Sequence, residues 1–258
     1  MNDYPANDAA YRHVLSTAEN TGAATIIEAG IGDGHAIGTW HQAGLHISGF
    51  DLQDECVSKA KKRMLDLGLD ASAVIQADAR EASALSHLRY SGEADICVAM
   101  GVAPHCGDAP EIVSNLLALV RPGGTVFIEF RNSLFSLFTF NRYTYEFIMD
   151  ELLISSSEEI RERVSVELSS RLAMHTPARP APQSQFHNPL TISDQLAVTG
   201  AVDTDVIPFH YHAGMPLIAD QDAPGFKQAS WDQESRTPDW RSLFLCSAFL
   251  YKASRPEN

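Results

Sequence analysis

Three glycines at alternate positions, Gly30, Gly32 and Gly34, follow a glutamate in the run Glu28-Ala29-Gly30-Ile31-Gly32-Asp33-Gly34. Glycine lets a backbone turn sharply and approach a ligand closely. A helix beginning just after such a run offers unpartnered N–H groups. This is cofactor-binding chemistry. The dinucleotide fingerprint G-x-G-x-x-G would need a third glycine at position 35, where the chain has His35. Two acidic residues follow downstream: Asp51, which is 21 residues past Gly30 and next to Leu52, and Asp78, followed by Ala79. Each has a plainer reading as a helix N-cap at a strand-to-helix junction.

Other side chains suit proton transfer or substrate binding. His105 closes the run Met100-Gly101-Val102-Ala103-Pro104-His105. Its imidazole titrates near neutral pH, as a general base should; the plain alternative is a loop histidine bonded to backbone. His210 and His212 alternate in FHYHAG, so on a strand they share a side. They either reach a substrate, join His105 on a metal, or stand as polar residues on an edge strand. No further ligand can be placed, so no metal is expected. Arg131 is suited to pair an acidic substrate group. Glu129 and Asn132 stand with it at the carboxyl end of the fifth strand, the ligand side, and the aromatics Phe135, Phe138, Phe140, Tyr143 and Tyr145 that follow either cover an apolar acceptor or fill a local core. His187 approaches the same site if its proline-rich loop folds over it.

The elements that must position these residues alternate in period. Strands are predicted at Thr25–Ala29, His46–Phe50, Ala73–Gln76, Asp95–Met100 and Thr125–Phe130. Helical spacing separates them, notably over Cys56–Leu67 and Pro110–Val120. Arg121-Pro122-Gly123-Gly124 should stop the second helix. Such alternation implies a doubly wound parallel sheet whose strands are buried on both faces. Beyond Phe130 the pattern changes. Residues 148–170 look helical, 176–190 read as a proline-rich loop, and Ile192–Gly200 as a short helix. Asp205–His212 and Leu243–Lys252 read as strands, with loop between. The expectation is one α/β domain over 1–258, with a seven-stranded, mostly parallel sheet, an antiparallel last strand and a substrate-binding insertion at 131–190 after the fifth strand.

Composition bounds the function. The chain has 258 residues, 45% of them hydrophobic, enough to bury one large domain. With 33 acidic against 19 basic residues its formal charge is −14, which counts against nucleic acid as partner. Its four cysteines form no C-x-x-C pair and no disulfide framework. A reducing cytoplasm is the simplest expectation. No apolar stretch approaches the ~18–20 residues of a membrane span, and the N-terminus carries no apolar signal region.

The spacing E-x-G-x-G-x-G resembles motif I of the class I S-adenosylmethionine-dependent methyltransferases. Further residues extend the resemblance over roughly 20–130. It implies that Glu28, Gly30, Gly32 and Gly34 form the cofactor loop. Asp51, with Leu52, would bind the ribose hydroxyls, a role that suits a carboxylate able to accept two hydrogen bonds. Asp78 and the Ala79 N–H would recognise adenine, and Met100 and Gly101 would line the methionine end. Pro122-Gly123-Gly124 before the fifth strand also fits.

That family transfers a methyl group from S-adenosyl-L-methionine to a nucleophile, leaving S-adenosyl-L-homocysteine. Alignment of nucleophile, methyl and sulfur is the main requirement, and no metal is intrinsic to it. The resemblance therefore implies a methyltransferase acting on an oxygen or nitrogen of a small-molecule acceptor, with His105 as base and Arg131, Asn132, Tyr143, His187, His210 and His212 as acceptor residues. The [DNS]-P-P-[YFW] run of the amino-methylating DNA enzymes is missing; Ala-Pro-His stands there. The alternatives are a protein or peptide acceptor, a nucleotide-cofactor oxidoreductase, and a non-catalytic S-adenosylmethionine-binding protein.

Overall fold

The computed structural model describes residues 6–172, 185–215 and 223–257. Helix α1 (Ala6–Thr21) precedes β1 (Thr25–Ala29), α2 (Ile37–Gln42), β2 (His46–Asp51), α3 (Asp54–Asp66), β3 (Val74–Gln76), α4 (Ala82–Leu85), β4 (Ala94–Ala99), α5 (Ala109–Leu119) and β5 (Val120–Asn132). Then come α6 (Arg142–Phe147), α7 (Glu158–Arg171), β6 (Phe186–His187), α8 (Ile192–Leu196), β7 (Val202–Tyr211), α9 (Ala223–Gln233), α10 (Ser242–Leu245) and β8 (Cys246–Ser254).

The described chain forms two compact units. The larger takes Asn7–Phe130, Thr191–Ile207 and the end of the chain from Leu250; the smaller takes Arg131–Leu190 and Pro208–Phe249. The expected insertion at 131–190 thus lies wholly in the smaller unit, together with 208–249.

The sheet of the larger unit runs β3-β2-β1-β4-β5-β8-β7. Its first five strands are parallel, with Ile26 opposite Ile47 on one side and Ile96 on the other. Parallel strands need helical crossovers, so both faces are covered. Accordingly Ile26, Ile27, Phe50, Ile96 and Phe127 have at most 1% exposure. The last strands are antiparallel. Gly123 donates to the Arg255 carbonyl and Arg255 to the Gly124 carbonyl, both at 2.9 Å. Asp95 ties the far edge together. Its carboxylate accepts the Ala24 and Thr25 N–H groups at 2.9 and 3.0 Å and pairs with Arg121.

Several local expectations change. The strand expected from Thr125 begins at Val120 instead, because the glycine pair joins the β8 ladder. The helix expected directly behind the glycine run starts only at Ile37 and is six residues long. Residues 148–170 are two pieces, a π turn at Ile148–Leu152 and α7. The last strand begins at Cys246, because Ser242–Leu245 is α10. The stretch between β7 and β8 contains α9, whose Pro224 and Gly225 look like loop residues in sequence. Proline is tolerated in a first helical turn, where its missing N–H has no intrahelical partner anyway. Most of the 176–190 loop, up to residue 184, lies outside the described residues.

Candidate active site

A cavity of about 270 Å³ opens at the carboxyl ends of β1, β2, β3 and β4. This is where ligands bind in open α/β sheets. Every residue lining it belongs to the larger unit. Among them are Gly30, Asp51, Leu52, Asp78, Ala79, Met100, Gly101 and His105.

The turn after β1 is shaped by glycine. Gly30 has φ +67°, and a β-carbon there would collide with the Val102 side chain. Gly34 has φ +76°, and a β-carbon would sit 2.6 Å from Ile37 Cδ1 and 3.2 Å from the Ala60 backbone. Ile31 donates its N–H to the Phe50 carbonyl at 2.9 Å, fastening the turn to β2. Gly32 and Gly34 do not line the cavity; they let the chain wrap behind it.

Both strand-end aspartates bind backbone two residues on. Asp51 Oδ1 accepts the Gln53 N–H and its Oδ2 accepts the Gly32 N–H, each at 2.9 Å. Asp78 Oδ1 likewise accepts the Arg80 N–H at 2.9 Å. These are Asx-type turns, the local bond that aspartate favours over a continuing strand. Asp51 therefore does not cap α3; Gln53 occupies that position without a side-chain bond. Asp78 is also gripped by the Arg80 guanidinium, Nε lying 3.0 Å from both oxygens. That pair holds the Asp78 carboxyl below its usual range. Ala79 is fixed from α5, where Asn115 donates to its carbonyl at 2.9 Å.

Beyond the end of β4, the Gly101 N–H donates to Glu129 Oε2 at 2.8 Å. His105 follows in a single 3₁₀ turn, its N–H bonded to the Val102 carbonyl at 3.0 Å. Its neighbour Cys106 is half-buried; burial first, then the Asp78 charge, pushes its thiol up.

Glu28 departs from its expected place. It is 4% exposed, does not line the cavity, and accepts Trp40 Nε1–H at 3.0 Å. Burial pushes its carboxyl up to about 8, against the Trp40 bond. The Tyr11 ring packs edge-on against Trp40 at 4.9 Å, and its phenol is raised by burial and then by the Glu28 charge. Glu28 is thus a support beneath the glycine turn.

Residues 27–126 match a family model described as a methyltransferase domain. Over 124 residues the chain is 30% identical to the ubiquinone biosynthesis O-methyltransferase of Aromatoleum aromaticum, covering 48% of this chain and 51% of that protein. The chain thus spans about half the length of the curated relatives it matches. Among solved structures, an S-adenosylmethionine-dependent methyltransferase from Mesorhizobium loti superposes with a TM-score of 0.53 at 12% identity, covering 90% of this chain and 91% of that one. Phosphoethanolamine N-methyltransferase 2 of Haemonchus contortus gives 0.50 at 17% identity, covering 91% and 49%. At such identities these two likenesses show the fold.

The remaining candidates, Arg131, Asn132, Tyr143, His187, His210 and His212, all lie in the smaller unit. Asn132 is a correction. It has 0% exposure, and its amide donates to the Leu243 and Cys246 carbonyls at 2.6 and 2.8 Å while its oxygen accepts the Leu134 N–H at 2.9 Å. Such a residue holds chain segments together and has nothing left for a substrate. His187 is no loop residue; it lies in β6, opposite Asn132 on β5. Tyr143 packs on Phe186, ring centroids 5.2 Å apart. His210 and His212 stack at 5.1 Å, on one side as their alternation implied.

Gln53, Arg80 and Val102 escaped the sequence reading, and Glu129, expected on the ligand side of the fifth strand, instead binds the Gly101 N–H. For Gln53 and Arg80 a signal existed, since Asx turns engage the residue two past each aspartate. For Val102 there was none, because it acts on Gly30 at another strand end. Among the described residues there is no metal-binding cluster, and no helix is long and apolar enough to cross a membrane.

Proposed function

We propose that this chain is an S-adenosyl-L-methionine-dependent methyltransferase that moves a methyl group to an oxygen or nitrogen of a small-molecule acceptor and leaves S-adenosyl-L-homocysteine. The observation that carries this reading is the Asp51 carboxylate, held at the cavity edge by two backbone N–H groups, beside the Gly30 turn. The lining fits an adenosyl nucleoside. Asp51 keeps lone pairs for a diol, since a carboxylate has about four acceptor sites. Leu52 beside it is 58% exposed and gives an apolar face for a base or sugar. Asp78 and Ala79 lie one strand further, and Met100 and Gly101 on the other side. The names of the curated relatives, O-methyltransferases of ubiquinone biosynthesis, favour an oxygen acceptor on a small molecule.

Bound in this cavity, S-adenosylmethionine would supply a methyl group already activated by its sulfonium. The residues then have distinct tasks. Asp51 orients through the ribose, and Asp78 and Ala79 through the base. Glu129 fixes the Gly101 backbone. His105, on the cavity wall, takes the acceptor proton at an imidazole nitrogen.

Thermal unfolding with S-adenosylmethionine, S-adenosylhomocysteine, NAD and NADP in separate samples tests the reading. A native-state ligand raises the midpoint by mass action. A rise with the two adenosyl-sulfur ligands alone is expected, followed by S-adenosylhomocysteine release in an acceptor screen. A rise with NAD or NADP alone would overturn it.

A further inference from the structure

Arg80 lines the cavity, but methyl transfer as described gives it no task. Its guanidinium is engaged by the acid two residues before it. Nε lies 3.0 Å from both Asp78 oxygens, and Nη2 also meets Oδ2. The Arg80 N–H takes Oδ1 at 2.9 Å. A carboxylate has about four acceptor sites, so three donors leave Asp78 about one. The Arg80 side chain is 51% exposed and that of Asp78 14%. An ion pair with so exposed a partner adds little to stability. Its effect falls instead on the cavity wall.

Asp78 and Ala79 are consecutive in that wall, and Asn115 holds the Ala79 carbonyl from α5 at 2.9 Å. Together they offer one acceptor, the remaining Asp78 site, beside one donor, the Ala79 N–H. A 6-aminopurine matches such an edge with its amine and its ring nitrogen. A 6-oxopurine has the reverse polarity: its carbonyl oxygen meets the carboxylate, and its ring N–H meets the Ala79 N–H. Rejection of that kind is strong, because polar groups are left unpaired on both sides. It weakens if Asp78 takes a proton, since a carboxylic acid can donate to the carbonyl. Burial favours that neutral form, and an adjacent cation opposes it. Here the Arg80 bonds win, and the Asp78 carboxyl stays below its usual range against the pull of burial.

We propose that Arg80 is a positioning residue that makes the cavity select a 6-aminopurine over a 6-oxopurine nucleoside, by holding Asp78 as a single fixed acceptor beside the Ala79 N–H. This rests on the function proposed above, in which Asp78 and Ala79 take the base. Without the guanidinium, the Asp78 carboxylate keeps the N–H of residue 80 but loses the fork that locks both oxygens. It then turns and takes a proton more readily, and the edge loses its fixed polarity.

The test is calorimetric titration of the full chain with S-adenosyl-L-homocysteine and with S-inosyl-L-homocysteine, whose base carries a 6-oxo group in place of the amine. The parent should prefer the adenosyl ligand by about a hundredfold or more. Arg80→Gln should cut that ratio by about tenfold or more, and Arg80→Lys, which keeps the charge without the fork, should fall between. The melting midpoint without ligand should stay near the parent's in both variants, since the exposed pair adds little to stability. A merely structural role would weaken both ligands together and leave the ratio unchanged. A parental ratio in folded Arg80→Gln and Arg80→Lys therefore overturns the inference, whatever happens to the separate affinities. A parent that binds both ligands equally well overturns it too, and leaves the methyl-transfer reading standing. A parent that binds neither ligand overturns that reading, and this inference with it.

Discussion

The Asp51 carboxylate accepts the Gly32 N–H at 2.9 Å, joining the end of β2 to the turn that follows β1. One oxygen thus sets the glycine turn, while its partner sets Gln53. The acid that would hold a ribose is itself held in place before any ligand arrives, so little ordering cost remains for binding.

Asp51→Ala removes both the acceptor pair and the tie to Gly32. Hydrogen bonds to a charged group contribute about 1.5–3 kcal/mol, so affinity for S-adenosylhomocysteine should fall roughly ten- to a hundredfold. Calorimetry checks this. Unchanged affinity in a folded variant removes Asp51 from the site.

Gly30→Ala places a β-carbon against Val102 at a left-handed φ. The conformation alone costs about 1–2 kcal/mol. Urea unfolding should show that loss plus a steric part, and the added Val102→Ala substitution should return only the steric part. Parental stability in Gly30→Ala would contradict the account of the turn.

Glu28 makes stability depend on pH. Its carboxyl sits at about 8 in the fold against an ordinary value of 4.5, so the native state holds a proton that the unfolded chain has lost. The stability it contributes is present at low pH and declines as pH rises through that window. Glu28→Gln keeps an acceptor for Trp40 without the titration. Its unfolding free energy relative to the parent should therefore increase from about pH 5 to about pH 8 and then level off. A flat difference across that range would show that Glu28 titrates normally.

His105→Ala should lower turnover by about a hundredfold or more, the usual worth of a general base, with little change in cofactor affinity. Equal turnover removes His105 from the chemistry. A loss confined to cofactor affinity makes it a wall of the cavity.

Asn132→Ala strands the Leu243 and Cys246 carbonyls and the Leu134 N–H inside the protein. A loss of about 2–3 kcal/mol in urea unfolding is expected. Parental stability with a raised acceptor KM would instead make Asn132 a substrate contact.

The sequence by itself determined the features that near neighbours decide. Alternate glycines behind Glu28 marked the turn, and the acids ending two apolar runs marked the strand ends. Strand–helix alternation marked the parallel order of β1 to β5. These are legible because turn conformation, Asx bonding and strand periodicity depend on a few residues in succession. Tertiary structure decided whatever joins distant segments. Glu28 looked like a loop acid until Trp40, 12 residues on, took its carboxylate. Glu129 reaches Gly101 across 28 residues, and Asn132 reaches Leu243 across 111. The rings of Phe135, His212 and Phe226 meet only because their segments pack into one unit. No local pattern encodes such pairs. Their free energy comes from burial and from satisfying buried polar groups, which exist only once the whole chain has folded.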